Sequence, residues 1–144
     1  MNLDDNVGVL IRNADLTITS YVRKHLEPYN LAPEQNLIMR MLWNEDGISS
    51  TELVSHLNKD KANIARMIAS LEGKGFIKKV DDPSDKRTFK VHLTEEGKRL
   101  AHLVEPVQQK MRDTLTKGMT EEEVNELQKL ITKIINNIKG DYHS

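Results

Sequence analysis

The sequence predicts a mainly α-helical fold that carries one small β-hairpin, an α+β class, on three observations. Apolar residues recur at helical spacing through most of the 144 residues. After a turn-forming loop, residues 88–93 instead alternate apolar and polar side chains, and residues 76–80 before the loop can pair with them. Capping residues, prolines and glycines divide the remainder into separate helices.

The first two helices are marked by prolines. An amphipathic helix runs from about residue 3 and stops before Pro28, because the residue that precedes a proline avoids helical backbone angles. A second helix begins at Pro33, since proline is favoured in the first helical turn, and it breaks at Asp46-Gly47.

The later helices begin at side chains that can cap a helix N-terminus. Residues 49–52 match a capping box before a short third helix, and Asp60 can cap a fourth. Thr94 can cap a fifth helix, and residues 120–123 form another capping box before the last one.

The segment between the fourth and fifth helices predicts the hairpin. Residues 82–85, Asp-Pro-Ser-Asp, have the chemistry of a β-turn. Phe89, Val91 and Leu93 then alternate with polar residues as in a half-buried strand, and residues 76–80 can supply its partner. Two short helices followed by such a hairpin predict a winged helix-turn-helix.

Basic residues are concentrated in a short central segment. The whole chain has a formal net charge of −1, which by itself argues against binding to nucleic acid. Residues 57–90, however, contain nine basic and five acidic residues, a net charge of +4. A polyanion docks where the local charge is positive, although an ordinary solvated face would carry the same charge.

The fourth helix carries candidate DNA-reading residues near its N-terminus. Ile64, Ile68 and Leu71 mark its buried side. Lys and Arg can reach phosphates or guanine, Asn can pair with adenine, and Ala can meet a thymine methyl group. With Lys59 just before the helix and two cations at the hairpin tip, we predict these DNA-binding residues: Lys59, Lys61, Ala62, Asn63, Arg66, Lys86 and Arg87.

Several protein classes are disfavoured by what the sequence lacks. Without cysteine it can form neither a disulfide nor a cysteine-ligated zinc site. No apolar run reaches about eighteen residues, and the N-terminus MNLDDNVG is acidic where a signal peptide is basic. We therefore expect a cytoplasmic protein with no membrane partner.

Catalytic and metal-binding motifs are also missing. No G-x-S-x-G, glycine-rich phosphate loop or H-E-x-x-H occurs, so we expect neither an enzyme nor a bound cofactor or metal. His102 and Glu105 have a spacing that could hold zinc, but a solvated helix face is the preferred explanation.

Two stretches carry a family resemblance. D-P-S-D-K-R followed by V-H-L-T-E-E-G-K, and A-N-I-A-R-M-I-A-S-L-E-G-K-G-F-I upstream of it, resemble the MarR family of bacterial transcriptional regulators in order and spacing. The resemblance covers essentially the whole chain. It implies a single domain over residues 1–144, with dimerisation helices at about 3–27 and 95–139, a helix-turn-helix at about 49–73 and a wing at about 76–93.

The resemblance also implies how the protein works. It implies a homodimer that places two recognition helices in successive major grooves of a pseudo-palindromic double-stranded DNA operator. Arg87 is then the wing residue that enters the minor groove, and Asp85 is the acid that orients it. The resemblance further implies a repressor that a small phenolic or lipophilic effector releases from DNA, since many relatives bind such molecules.

One alternative remains open at this stage, a winged helix that serves only protein–protein assembly. A module that serves only protein–protein assembly does not require basic residues clustered at the tips of the fourth helix and the hairpin, where a DNA-binding protein needs them. Six residues form that gathering: Lys59, Lys61, Arg66, Lys86, Arg87 and Lys90.

Overall fold

The fold is that of a computed structural model, which describes residues 5–143. Within this part of the chain there are six α-helices, one 3₁₀ turn and three short strands. In chain order they are α1 (Val7–Leu26), the 3₁₀ turn (Glu27–Tyr29), α2 (Pro33–Asn44), β1 (Ile48–Ser49), α3 (Ser50–Leu57), α4 (Lys61–Gly73), β2 (Ile77–Asp81), β3 (Phe89–Leu93), α5 (Glu95–Leu115) and α6 (Glu121–His143). The mainly helical class with a small wing is confirmed, while the predicted helix start near residue 3 lies outside the described residues.

The chain forms two compact units, residues 1–109 and 110–144, whose boundary falls inside α5. The first unit has an aliphatic core to which helices and sheet both contribute. Its fully buried side chains include Leu26, Ile38, Met39, Leu42, Leu53, Ile64, Ile68, Leu71, Ile77, Val91 and Val104.

Local hydrogen bonds start the helices at the predicted residues. The Ser49 hydroxyl accepts from the backbone N–H of Glu52 at 3.1 Å, and the Thr94 hydroxyl accepts from that of Gly97 at 3.1 Å. At α6 the reciprocal capping box is complete, because Glu123 Oε1 also accepts from the backbone N–H of Thr120 at 2.9 Å.

The sheet contains a strand that the sequence did not predict. Its order is β1-β3-β2, all antiparallel, with Ile48 opposite Val91 and Ile77 opposite Leu93. The short strand β1 thus adds a third member to the predicted hairpin. Two residues are too few to show an alternating pattern, and these two overlap the capping box of α3.

The hydrogen-bonded backbone turn of the hairpin lies three residues later than the turn predicted at residues 82–85. Asp82 Oδ1 accepts from the Ser84 backbone N–H at 2.9 Å and from its hydroxyl at 2.7 Å, a local side-chain turn. The backbone turn closes later, where the N–H of Thr88 donates to the carbonyl of Asp85 at 3.2 Å. Lys86 and Arg87 are therefore the central residues of the turn.

A glycine lets the start of α5 approach the sheet. A β-carbon built at Gly97 would stand 2.1 Å from the carbonyl oxygen of Phe76, a distance that no real β-carbon shows. The Phe76 carbonyl accepts from the backbone N–H of Thr94 at 3.1 Å, and Trp43 Nε1 donates to the Gly97 carbonyl at 2.9 Å. This junction fixes the base of the hairpin against α2 and α5.

Helix α6 leaves an apolar stripe uncovered within its own unit. Leu127, Ile131, Ile134 and Ile138 lie three and four residues apart, as in a coiled-coil seam, and are 36–57% exposed. Helix α1 of the other unit likewise exposes Val7, Leu10, Ile11 and Ile18.

Among the described residues, no helix combines the length and apolar character that a membrane-spanning segment needs.

Candidate nucleic-acid interface

Helix α4 begins at a capped N-terminus that leaves polar side chains in solvent. Asp60 Oδ1 accepts from the backbone N–H of Asn63 at 2.7 Å, so Asp60 is the N-cap that the sequence predicted. Ile64 and Ile68 are 1% and 2% exposed and fix the side that faces the core. On the other side Lys61, Ala62 and Arg66 are exposed, and Asn63 is half-buried.

Three side chains on this surface are joined to one another. The Asn63 amide nitrogen Nδ2 donates to Asp60 Oδ2 at 3.1 Å. The amide oxygen of Asn63 accepts from Nη2 of Arg66. Asp60, Asn63 and Arg66 therefore form one chain of hydrogen bonds along the first two turns of α4.

The two helices of the helix-turn-helix are joined by a tight turn. Helix α3 ends at Asn58, whose φ of 52° and ψ of 40° are left-handed, a conformation that asparagine tolerates better than most residues. The chain then passes through Lys59 to the cap at Asp60. No glycine is needed at this turn.

Lys59 is paired within the protein. Its Nζ lies 2.6 Å from Glu34 Oε1, at the start of α2. The hydrogen bond to Glu34, together with the charge of that carboxylate, raises the pKa of the Lys59 ammonium. The predicted DNA contact of Lys59 would thus compete with an internal ion pair.

Sequence reasoning missed Lys74, which holds α4 from its C-terminal end. Its Nζ donates to Gln35 Oε1 at 2.6 Å and to the backbone carbonyl of Asn30 at 2.8 Å, and burial lowers the pKa of the ammonium. Gln35 in turn donates to the hydroxyl of Ser70 at 2.8 Å. These partners lie 35–44 residues away in sequence, so no local pattern could reveal them.

The hairpin tip presents an arginine that is held by a neighbouring acid. Asp85 Oδ1 accepts from the backbone N–H of Arg87 at 3.0 Å and from its Nε at 3.2 Å. The Arg87 side chain is still 86% exposed, and Lys86 beside it is exposed as well. The carboxylate thus restricts the guanidinium without covering it.

The two strands of the hairpin are fixed to both helices of the helix-turn-helix. The backbone N–H of Lys79 on β2 donates to Glu72 Oε2 on α4 at 3.0 Å. On the inner strand β3, the backbone N–H of Phe89 donates to the buried hydroxyl of Ser50 on α3 at 3.3 Å. Lys79 Nζ also lies 4.5 Å above the centre of the Phe89 ring, a cation–π contact across the two strands.

The structure therefore brings the predicted residues together in two groups. Lys61, Ala62, Asn63 and Arg66 share the start of α4, while Lys86 and Arg87 share the hairpin tip with Asp85. Within residues 5–143 no group of three His, Cys, Asp or Glu side chains is arranged to hold a metal ion. The site offers cationic and amide groups for binding.

A helix pair with a tight turn, followed by a hairpin wing that is tied to both helices and paired with β1, defines a winged helix-turn-helix protein. The MarR family model matches residues 31–89, which run from α2 to the start of β3. The uncharacterised HTH-type transcriptional regulator YybA of Bacillus subtilis is 28% identical over 136 residues, 94% of this chain and 88% of YybA. Over these matches the chain is similar to the MarR family of transcriptional regulators.

Two solved structures of relatives contain DNA. A mutant MarR from Escherichia coli complexed with operator DNA is 27% identical with a TM-score of 0.77, and the match covers 89% of this chain and 92% of that one. A MarR-family regulator from Listeria monocytogenes complexed with a 26mer DNA is 26% identical with a TM-score of 0.83, covering 95% and 91%. MarR-family transcriptional regulators are not enzymes, which agrees with the sequence prediction.

Proposed function

We propose that this regulator binds double-stranded DNA sequence-specifically, with the start of α4 in the major groove and Arg87 in the minor groove. The observation that carries the proposal is the outward face of α4. Its core side is fixed by Ile64 and Ile68, so Lys61 and Arg66 are held outward by a rigid helix. The first turn of a helix placed in this way can reach base edges.

The hairpin tip supports the same proposal. A narrow, A·T-rich minor groove has an enhanced negative potential that attracts a guanidinium. Arg87 is exposed and loses less freedom on binding, because Asp85 already restricts its orientation. The Escherichia coli and Listeria relatives are complexed with DNA, which supports DNA binding by this chain.

We further propose that the active form is a homodimer. The α6 stripe has the three-and-four spacing of a two-helix seam, and a second copy is the partner that repeats this spacing. Half-exposed Leu and Ile side chains gain about 1 kcal/mol each on full burial. Two copies of the stripe, together with the exposed apolar face of α1, then supply enough apolar surface for a stable dimer.

Two-fold symmetry would give a pseudo-palindromic operator with half-sites about one helical turn apart. In this proposal the dimer is a repressor in the bacterial cytoplasm, where the chromosome lies, and a small phenolic or lipophilic effector releases it. The resemblance to the MarR family is the support for repression and for the effector.

The test is selection of binding sites from random DNA by the purified full chain, followed by titration at several salt concentrations. We expect one enriched pseudo-palindrome and a steep loss of affinity with salt, because each neutralised phosphate adds about 0.9 to the slope of log K against log salt. Lys61→Ala should reduce this slope, while Lys117→Ala, in the exposed α5–α6 connection, should leave it unchanged. Failure to enrich any sequence would favour the assembly module instead.

A further inference from the structure

The hydrogen-bond chain from Asp60 through Asn63 to Arg66 bears on how bases are read, and this inference rests on the proposed DNA binding. An acidic side chain on a DNA-binding face repels phosphate, so its presence there calls for a reason. Capping alone does not supply one, because serine or asparagine caps a helix as well as aspartate does.

The second carboxylate oxygen supplies a reason. Oδ1 of Asp60 caps the helix at 2.7 Å, while Oδ2 accepts from the Asn63 side chain at 3.1 Å. The Asn63 amide can take only one orientation here, since a flip would bring its oxygen against the carboxylate and its NH₂ group against the guanidinium. The amide oxygen consequently faces Arg66 and accepts from Nη2.

This arrangement assigns different tasks to Asn63 and Arg66. Bidentate pairing with adenine requires the oxygen and the NH₂ group of an asparagine to face the base together, whereas each group of Asn63 is already engaged once, so the amide cannot turn toward a base without breaking its bonds to Asp60 and Arg66. Arg66 gives one N–H to Asn63 and keeps four, enough for the two bonds that a guanidinium makes to O6 and N7 of guanine.

We propose that Asp60 and Asn63 are positioning residues that orient Arg66 to read a guanine, and that Asn63 does not itself read an adenine. The hydrogen-bond chain from Asp60 through Asn63 to Arg66, called the relay below, orders the guanidinium before DNA binds. The correct base pair therefore meets a side chain that is already ordered. A wrong base pair leaves that ordered group without its partners, which sharpens discrimination.

The experiment is selection from random DNA with four variants beside the parent. Arg66→Ala identifies the base pair that Arg66 reads, where we expect the loss of a guanine preference of about 5- to 150-fold. Asp60→Asn keeps the cap and the shape but removes the acceptor for Nδ2, and it should lower the preference at that same base pair by about 2- to 12-fold. Asn63→Ala should relax the same base pair and no other.

Asp81→Asn is the matched charge control, because it removes one exposed carboxylate on β2 outside the relay. Both aspartate variants should bind random DNA more tightly, but only Asp60→Asn should change a base preference. Asp60→Ser, which also caps, repeats the test if Asp60→Asn unfolds at a lower temperature than the parent.

The outcomes separate the two proposals. If the parent enriches no sequence, the proposed function fails. If the parent and Arg66→Ala behave as expected but Asp60→Asn keeps the full preference, the relay alone is overturned. Loss of an adenine preference at a second base pair in Asn63→Ala would likewise overturn it, because Asn63 would then be reading a base.

Discussion

The junction between Gly97 and Phe76 leads to a prediction of size as well as direction. In Gly97→Ala the new β-carbon would stand 2.1 Å from the Phe76 carbonyl oxygen, where ordinary contacts begin at 3.4 Å. The obstacle is backbone, which cannot turn aside as a flexible side chain can. The start of α5 and the start of β2 would therefore have to separate by about 1.3 Å.

This separation strains bonds that meet at the junction. They are the bond from the Thr94 N–H to the Phe76 carbonyl at 3.1 Å and the bond from Trp43 Nε1 to the Gly97 carbonyl at 2.9 Å. Overpacking costs about 1–3 kcal/mol and each lost hydrogen bond about 1 kcal/mol. We expect Gly97→Ala to lower the free energy of unfolding by roughly 4 kcal/mol and the melting temperature by about 10–20 °C.

The assay is thermal and urea unfolding followed by circular dichroism at one matched protein concentration. Gly73→Ala is the control, because a β-carbon there meets nothing within 4 Å and alanine favours the helix, so stability should rise by up to about 1 kcal/mol. If Gly97→Ala melted within a few degrees of the parent, the close approach would not constrain the fold and the reasoning would be refuted.

Three further predictions concern the proposed function. Arg87→Ala should weaken operator binding by about 1.5–3 kcal/mol in a fluorescence titration, with the melting temperature unchanged. Asp85→Ala should weaken binding less. Tighter binding by Asp85→Ala would show that repulsion between the carboxylate and phosphate outweighs its orienting effect on Arg87. Ile134→Glu, in the apolar stripe of α6, should give a 16.5 kDa monomer by light scattering at micromolar concentration. The control Thr132→Glu, on the polar side of α6, should stay dimeric. A dimeric Ile134→Glu variant would place the dimer interface elsewhere. Glu34→Gln should release Lys59 from its ion pair and steepen the slope of log K against log salt for DNA binding by about 0.9. Stability should change little, because the ion pair is exposed. An unchanged slope would mean that Lys59 makes no phosphate contact.

Predictions that depend on local chemistry agree with the structure. The caps at Asp60 and Thr94 involve bonds only three residues long, so the sequence contains everything that determines them. The relay to Arg66 is local too, since Asn63 and Arg66 are three residues apart on a helix, and its spacing could have revealed it.

Predictions fail where distant residues or competing bonds decide. The pairing of Ile48 with Val91 joins segments 43 residues apart, and the ion pair of Lys59 with Glu34 spans 25. At the hairpin, Asp82 used its side chain to form a local turn with Ser84, which moved the backbone turn along to Asp85. Propensity alone favours a turn at either place.

The third strand of the sheet has a consequence for how the wing can vary. Ser49 ends β1 and also caps α3, and Ser50 holds the inner strand of the hairpin through the N–H of Phe89. Strand β3 is thus joined on one edge to the helix-turn-helix and on the other to β2.

The tip, residues 82–88, lies beyond the last strand pair between Asp81 and Phe89, so it is the part of the hairpin that strand pairing does not fix. A change of length there alters loop-closure entropy only slightly, by about 0.6 kcal/mol for each doubling. The reach of Arg87 can therefore be lengthened or shortened during evolution while the helices that we propose to read the operator keep their positions. Relatives with different tips could then share one recognition scaffold and differ in the groove width they accept.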